Sequence, residues 1–172
     1  MNMGLEIKSE VGFRGALPFL STLVLLVMMQ LQYRVFFLDN LFPFLSLAAV
    51  YYWCIFKPQL MPVSVVFLLG ILQDILSGGP LGMMALLLVL VRIFVVWQSS
   101  RFLEREFLFN WLGFIFITLA FGLGTWVIAS IYLKQSQNFW DSFGQSMVTI
   151  AVFPVVFLTL GWVRNLLVKE SR

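Results

Sequence analysis

No histidine occurs anywhere in the 172 residues, and cysteine occurs once, as Cys54. The missing histidine removes the commonest general base and metal ligand, and with it zinc-peptidase and cysteine–histidine mechanisms. A single cysteine cannot close an internal disulfide. Flanked by Tyr52, Trp53, Ile55 and Phe56, Cys54 reads as a small apolar filler. Charge is scarce as well: Asp, Glu, Lys and Arg make up 11% of the chain, against about a quarter in an ordinary soluble domain. That is too little to coat a water-facing globule of this length. The glycine-rich run Ser77-Gly78-Gly79-Pro80-Leu81-Gly82 lacks the lysine and Ser/Thr of a phosphate-binding loop.

What fills the chain is apolar. Hydrophobic residues reach 61%, and the mean hydropathy is +0.97. The expected solvent for most of the surface is therefore lipid. The expected fold is all-α, a polytopic transmembrane bundle of about six helices. The formal charge of +3 and a pI near 9.3 do not point to nucleic acid, because the basic residues lie at the ends of apolar runs and not on one polar face.

Six apolar segments can be drawn: Gly15 to Tyr33, Leu41 to Phe56, Val63 to Leu76, Gly82 to Trp97, Phe107 to Leu133, and Ser146 to Val163. The first is too long for a signal-peptide core, and no small-x-small cleavage site follows it. A straight crossing takes about 20 residues. The fifth segment exceeds that; the second, third and fourth fall short. Pro154, inside the sixth, removes a backbone donor and is expected to kink it. The domain plan is a tail at 1–14, a transmembrane domain at 15–166 and a tail at 167–172.

Orientation follows from the basic residues. With the amino terminus in the cytoplasm, Lys8, Arg14, Lys57, Arg101, Arg105, Arg164, Lys169 and Arg172 fall inside, and only Arg34 and Lys134 fall outside. Both termini are then cytoplasmic. Trp53, Trp97, Trp111 and Trp162 near the inner ends, with Tyr33, Tyr132 and Trp140 near the outer ends, fit the same frame.

Two charges interrupt the apolar segments. Asp74 lies one turn before Gly78-Gly79, and an ionisable group at such a place costs about 2.5–3.5 kcal/mol unless paired or wet. Its carboxylate caps backbone N–H groups in the turn or reaches interfacial water, or else it anchors structure or meets a partner helix. Arg92 is deeper. It pairs with Asp74 across the turn, snorkels toward the inner face, or binds an anionic lipid. Ala120 and Gly124 form a small-xxx-small face for helix packing, with Gly113 and Gly122 nearby. No catalytic set is apparent: Glu104, Glu106 and Asp141 fall in loops on opposite sides, and only Asp74 and Arg92 point to a polar interior. The chain is not expected to be an enzyme, and no cofactor is expected.

The stretch Gly70-Ile71-Leu72-Gln73-Asp74-Ile75-Leu76-Ser77-Gly78-Gly79-Pro80-Leu81-Gly82 resembles the rod shape-determining protein MreD family of bacteria. The preceding Pro43, Tyr52-Trp53 and Lys57-Pro58, the size and the helix count are similar too. Met84 departs from the family's pattern, in which many members carry a polar residue. The resemblance implies a non-enzymatic scaffold in the inner membrane. It would bind the single-span protein MreC and work beside MreB, RodA and the elongation transpeptidase, maintaining cell shape through lateral peptidoglycan synthesis. It also implies a fold similar to the membrane substrate-binding subunits of vitamin transporters. Asp74, Ser77, Gly78, Pro80, Leu81 and Gly82 match the motif, as structural or partner-binding positions. The alternative reading, from the fold analogy, is a membrane-embedded small-molecule binding or transport subunit. It requires a polar-lined pocket, for which Gln73, Asp74 and Arg92 are the main candidates.

Overall fold

The computed structural model describes residues 16–29, 42–102, 107–133 and 138–169. Among these there are six α-helices and no strand. They are α1 (Ala16–Met29), α2 (Leu45–Phe56), α3 (Val63–Ser77), α4 (Met83–Phe102), α5 (Phe107–Leu133) and α6 (Phe139–Lys169). A 3-10 turn, Pro58–Leu60, links α2 to α3. Two helices are long and apolar enough to cross a membrane, over Leu108–Tyr132 and Phe139–Asn165. The expected tail at 1–14, the last three residues of the tail at 167–172 and most of the orienting charges, among them Lys8, Arg14, Arg34, Arg105, Lys134 and Arg172, lie outside the described residues.

The centre of the bundle is α2. Every residue from Leu45 to Ile55 is buried, with Val50, Tyr51, Trp53 and Cys54 fully enclosed. A helix that is apolar on all sides has no face to offer water and is stable only when surrounded. Packing against α4, α5 and α6 achieves this. Aromatic rings fill the interface: Tyr51 meets Phe114 and Phe153 at 5.1 and 5.8 Å, Phe114 and Phe153 stack at 3.9 Å, and Tyr52 lies edge-on to Phe157 at 5.2 Å. Taken with Phe44 against Phe121 and Thr149, these pairs fix direction: α5 runs antiparallel to α2, and α6 parallel to it. Phe44, just before α2, meets Phe121 at 5.0 Å, so α2 starts partway along α5. Its 12 residues span about 18 Å.

A helix start in a packed interior leaves backbone donors to satisfy. The Phe44 N–H donates to Thr149 Oγ1 at 2.9 Å, and the Thr149 hydroxyl donates to the Gln145 carbonyl at 2.7 Å. In the first turn, Ser46 donates its hydroxyl to Gln73 Oε1 at 2.6 Å. These polar groups are buried and paired, which offsets the cost of removing them from water. Outside, the pattern is reversed. Large apolar side chains are exposed on α1, α3, α4, α5 and α6, including Val24, Leu68, Leu90, Phe116, Ile131 and Leu158.

Several helix boundaries differ from expectation: α2 starts at Leu45 and not Leu41, α4 runs past Trp97 to Phe102, and both ends of α6 move. The sixth helix starts at Phe139 and not near Ser146, because Asn138 caps it: its Oδ1 accepts the Trp140 N–H at 3.4 Å, and Asp141 places an acid in the first turn, where the helix dipole favours one. It also runs on to Lys169, into the segment expected as a tail. It stays helical through Pro154. The Ile150 carbonyl, which a residue with an N–H at 154 would satisfy, instead accepts the indole N–H of Trp111 at 3.3 Å.

Candidate functional site: the aspartate-capped hairpin

Antiparallel helices α3 and α4 are joined by the glycine–proline turn, and the join rests on close backbone approach. Gly70 lies directly against the backbone of Ala85, so that even a methyl group there would overlap Ala85 Cα. Gly78 ends α3 in the left-handed region (φ 69°), donating its N–H to the Asp74 carbonyl at 3.1 Å. The Ser77 hydroxyl donates to the same carbonyl at 3.3 Å. This is the usual left-handed helix stop, which glycine takes at little cost. Gly82 is also in that region (φ 93°) and turns the chain into α4. Pro80 stiffens the turn between them, and its carbonyl accepts the Met83 N–H at 3.2 Å.

Asp74 is 1% exposed, which for a carboxylate demands compensation. Compensation comes from the start of α4. Oδ2 accepts the N–H groups of Gly82 at 2.8 Å and Ala85 at 3.4 Å, and Oδ1 accepts that of Met84 at 3.0 Å. Asp74 thus caps α4 from the last turn of the preceding helix. It satisfies otherwise orphaned donors, and its negative charge sits at the positive end of the α4 dipole. At position 84 the cap uses the backbone and not the side chain, so a methionine in place of a polar residue leaves it intact.

The motif residues are therefore gathered unequally. Asp74, Ser77, Gly78, Pro80 and Gly82 build one hydrogen-bonded unit. Leu81 takes no part in it and projects outward, 74% exposed. Arg92 is remote. Its Nε donates to the carbonyl of Met61 at 3.0 Å, at the opposite end of α3. The Asp74–Arg92 pair does not form: the carboxylate is taken up by α4's own start, and Arg92 is held through Nε at the α2–α3 connection.

The packing residues divide as well. Gly124 lies against the Leu87 side chain of α4, so it serves contact within the bundle. Ala120 is exposed and lines a groove of about 530 Å³ between α4 and α5, with Leu90, Phe94, Gly113 and Phe116 among its walls. A smaller space of about 170 Å³ lies between α5 and α6, beside Gly122 and Phe143. Both are lined mainly by apolar side chains. Among the described residues no cluster of three or more Cys, Asp or Glu is placed to hold a metal ion. Sequence reasoning missed Gly70 as a contact, although its four-residue spacing from Asp74 places both on one face of α3. It also missed the Ser46–Gln73 and Phe44–Thr149 bonds, for which no local signal exists.

The chain is similar to a protein of Rickettsia prowazekii (strain Madrid E). That protein, "Uncharacterized protein RP566", is 26% identical over 130 residues, covering 76% of this chain and 74% of its own. No protein-family model matches the chain, and no solved structure matches it.

Proposed function

We propose that this chain is a multi-pass scaffold of the bacterial inner membrane, resembling the MreD family, that docks a single-span partner such as MreC. It would have no enzymatic activity of its own. It would act with MreB, RodA and the elongation transpeptidase in lateral peptidoglycan synthesis, with both termini in the cytoplasm. The observation that carries this reading is the distribution of polarity. The interior is filled by aromatic and aliphatic side chains around α2, and its buried polar groups mostly bond one another or the backbone, while the exposed faces of five helices are apolar. Such a surface suits lipid and helix docking.

The length of α2 fits this reading, because an enclosed helix need not match the thickness of the bilayer. The hairpin fits too, since the matching motif residues other than Leu81 form one capped unit. A small-molecule transport subunit would need a polar-lined interior cavity. The two described spaces are apolar, and Gln73 and Asp74 are occupied by Ser46 and by the start of α4. That favours the scaffold.

Co-purification is the decisive experiment. A tagged chain solubilised from its native membrane is expected to retain a single-span protein with a periplasmic domain at near-equal stoichiometry. Recovery of the chain alone, or with a bound small molecule and no protein, would count against the scaffold. Reporter fusions at the two ends should both read cytoplasmic.

A further inference from the structure

At the end of the bundle opposite the aspartate-capped hairpin, the connection between α2 and α3 carries one basic residue and is approached by two more, from α4 and from α6. Lys57 begins that connection and is exposed. Arg92 reaches in from α4, with Nε on the Met61 carbonyl. Arg164 reaches in from α6 and lies over the ring of Phe56, its Cζ 4.4 Å from the centroid. None of the three meets a carboxylate among the described residues. The two carboxylates that are described, Asp74 and Asp141, lie at the other end, where α3 finishes and α6 begins. The charge of the described bundle is thus segregated from end to end.

Local structure does not neutralise this cluster. The carbonyl end of α2 and the amide end of α3 meet here, and their opposite partial charges offset each other. The first turn of α3 contains no acidic residue, and Pro62 gives it no side-chain cap. Three full positive charges remain, and two of them are guanidiniums whose orientation is already fixed. One is held by a hydrogen bond at Nε and the other by stacking on Phe56. A fixed, planar fork with free N–H groups suits the oxygens of a phosphate.

We propose that this end of the bundle binds the phosphate of an anionic phospholipid headgroup, held by Lys57, Arg92 and Arg164. The proposal rests on the membrane reading above but not on any particular protein partner. The depth of the site separates it from diffuse attraction to a charged surface. α4 continues from Arg92 to Phe102, about 15 Å of helix, and α6 continues past Arg164 to Lys169, so the basic groups lie below the helix ends. A headgroup reaching them leaves its acyl chains on exposed apolar faces. Trp97 and Trp162, 79% and 69% exposed, stand on the same two helices within about a turn and a half of Arg92 and Arg164 along the axis, where indole rings favour the headgroup level.

The test uses the full chain purified in an uncharged detergent, with phosphatidylglycerol, phosphatidylcholine or inorganic phosphate added. Retained lipid is read by native mass spectrometry, and the lipid-dependent rise in melting temperature is measured against each variant's own lipid-free value. Phosphatidylglycerol is expected to be retained and stabilising, and phosphatidylcholine and phosphate are not. Lys57→Gln and Arg164→Gln should each weaken phosphatidylglycerol retention by about fivefold, the worth of one basic residue near an anionic lipid. Arg92→Lys, which keeps the charge but loses the planar fork and the bond to Met61, should retain less than the unaltered chain and more than Arg92→Gln. Unchanged retention in the Lys57→Gln/Arg164→Gln double variant, or equal retention of the two lipids, would overturn the proposal. An equal effect of phosphate alone would also overturn it, in favour of a free-anion site. Failure of the membrane reading would register earlier and separately, as a chain that stays monodisperse without detergent.

Discussion

The hydroxyl of Thr149, on α6, accepts the backbone N–H of Phe44 at 2.9 Å and so closes the start of a helix that begins inside the bundle. An interior helix start is costly because its first amides have no helical acceptor and no water. Thr149 meets one of them while bonding its own helix through Gln145. Thr149→Val keeps the shape and removes the acceptor. The expected loss is about 1–3 kcal/mol, the cost of a buried donor left unpaired. Equilibrium unfolding in detergent measures it. Thr149→Ser, which keeps the hydroxyl, should recover most of the loss.

Asp74 should dominate the stability of the hairpin. Asp74→Ala strands the amides of Gly82, Met84 and Ala85 at once, and a loss of about 2–4 kcal/mol is expected from the cap and the unpaired donors together. Asp74→Asn retains an acceptor but not the charge at the helix dipole, so it should cost about half as much. Thermal unfolding of the two variants side by side checks the order. Equal losses would mean that charge contributes nothing at this position.

Because the Asp74 carboxylate and the Arg92 guanidinium sit at opposite ends of α3, their substitutions should be additive. The coupling between Asp74→Asn and Arg92→Gln is expected to fall within about 0.5 kcal/mol, the range for distant sites. A double-mutant cycle on unfolding free energy measures this, and a coupling above 1 kcal/mol would imply the direct pair that the geometry lacks.

Gly70 and Gly78 should fail for different reasons. Gly78→Ala meets nothing within 4 Å, so its cost is conformational only, about 1–2 kcal/mol for a left-handed backbone. Gly70→Ala drives a methyl group into the Ala85 backbone, which forces α3 and α4 apart. That overpacking should cost about 1–3 kcal/mol. It should also weaken the Asp74 cap, since α4 carries the donors. Hydrogen exchange at Met84 and Ala85 separates the cases: it should rise in Gly70→Ala more than in Gly78→Ala.

The hairpin was legible in the sequence because both of its signals are local. A carboxylate one turn before two glycines and a proline needs donors, and the nearest free donors are the first amides of the next helix. The helical class was legible in the apolar runs. The central place of α2 was not, because every segment is apolar on most faces and periodicity cannot rank them. Nor was the partner of Arg92, since any backbone carbonyl will serve and nothing in the sequence marks the one at Met61. The early start of α6 was hidden because Asp141, Ser142 and Gln145 lower the local hydropathy without breaking the helix. Asn138, as a cap, was the available signal.

Trp111 and Pro154 should be energetically coupled through a carbonyl that belongs to neither. Pro154 has no N–H to give Ile150, and the indole of Trp111 supplies the missing donor from α5. Trp111→Phe keeps a large ring but leaves that carbonyl unpaired, and it should cost about 1–2 kcal/mol. Pro154→Ala restores a helical donor, so the same tryptophan change made in that background should lose less, with the difference appearing as coupling of about 1 kcal/mol. Tryptophan fluorescence and unfolding free energy, followed together in the four proteins of the cycle, test this. Equal losses in the two backgrounds would mean that the indole is held by packing alone and that the α5–α6 contact at this level owes nothing to the proline.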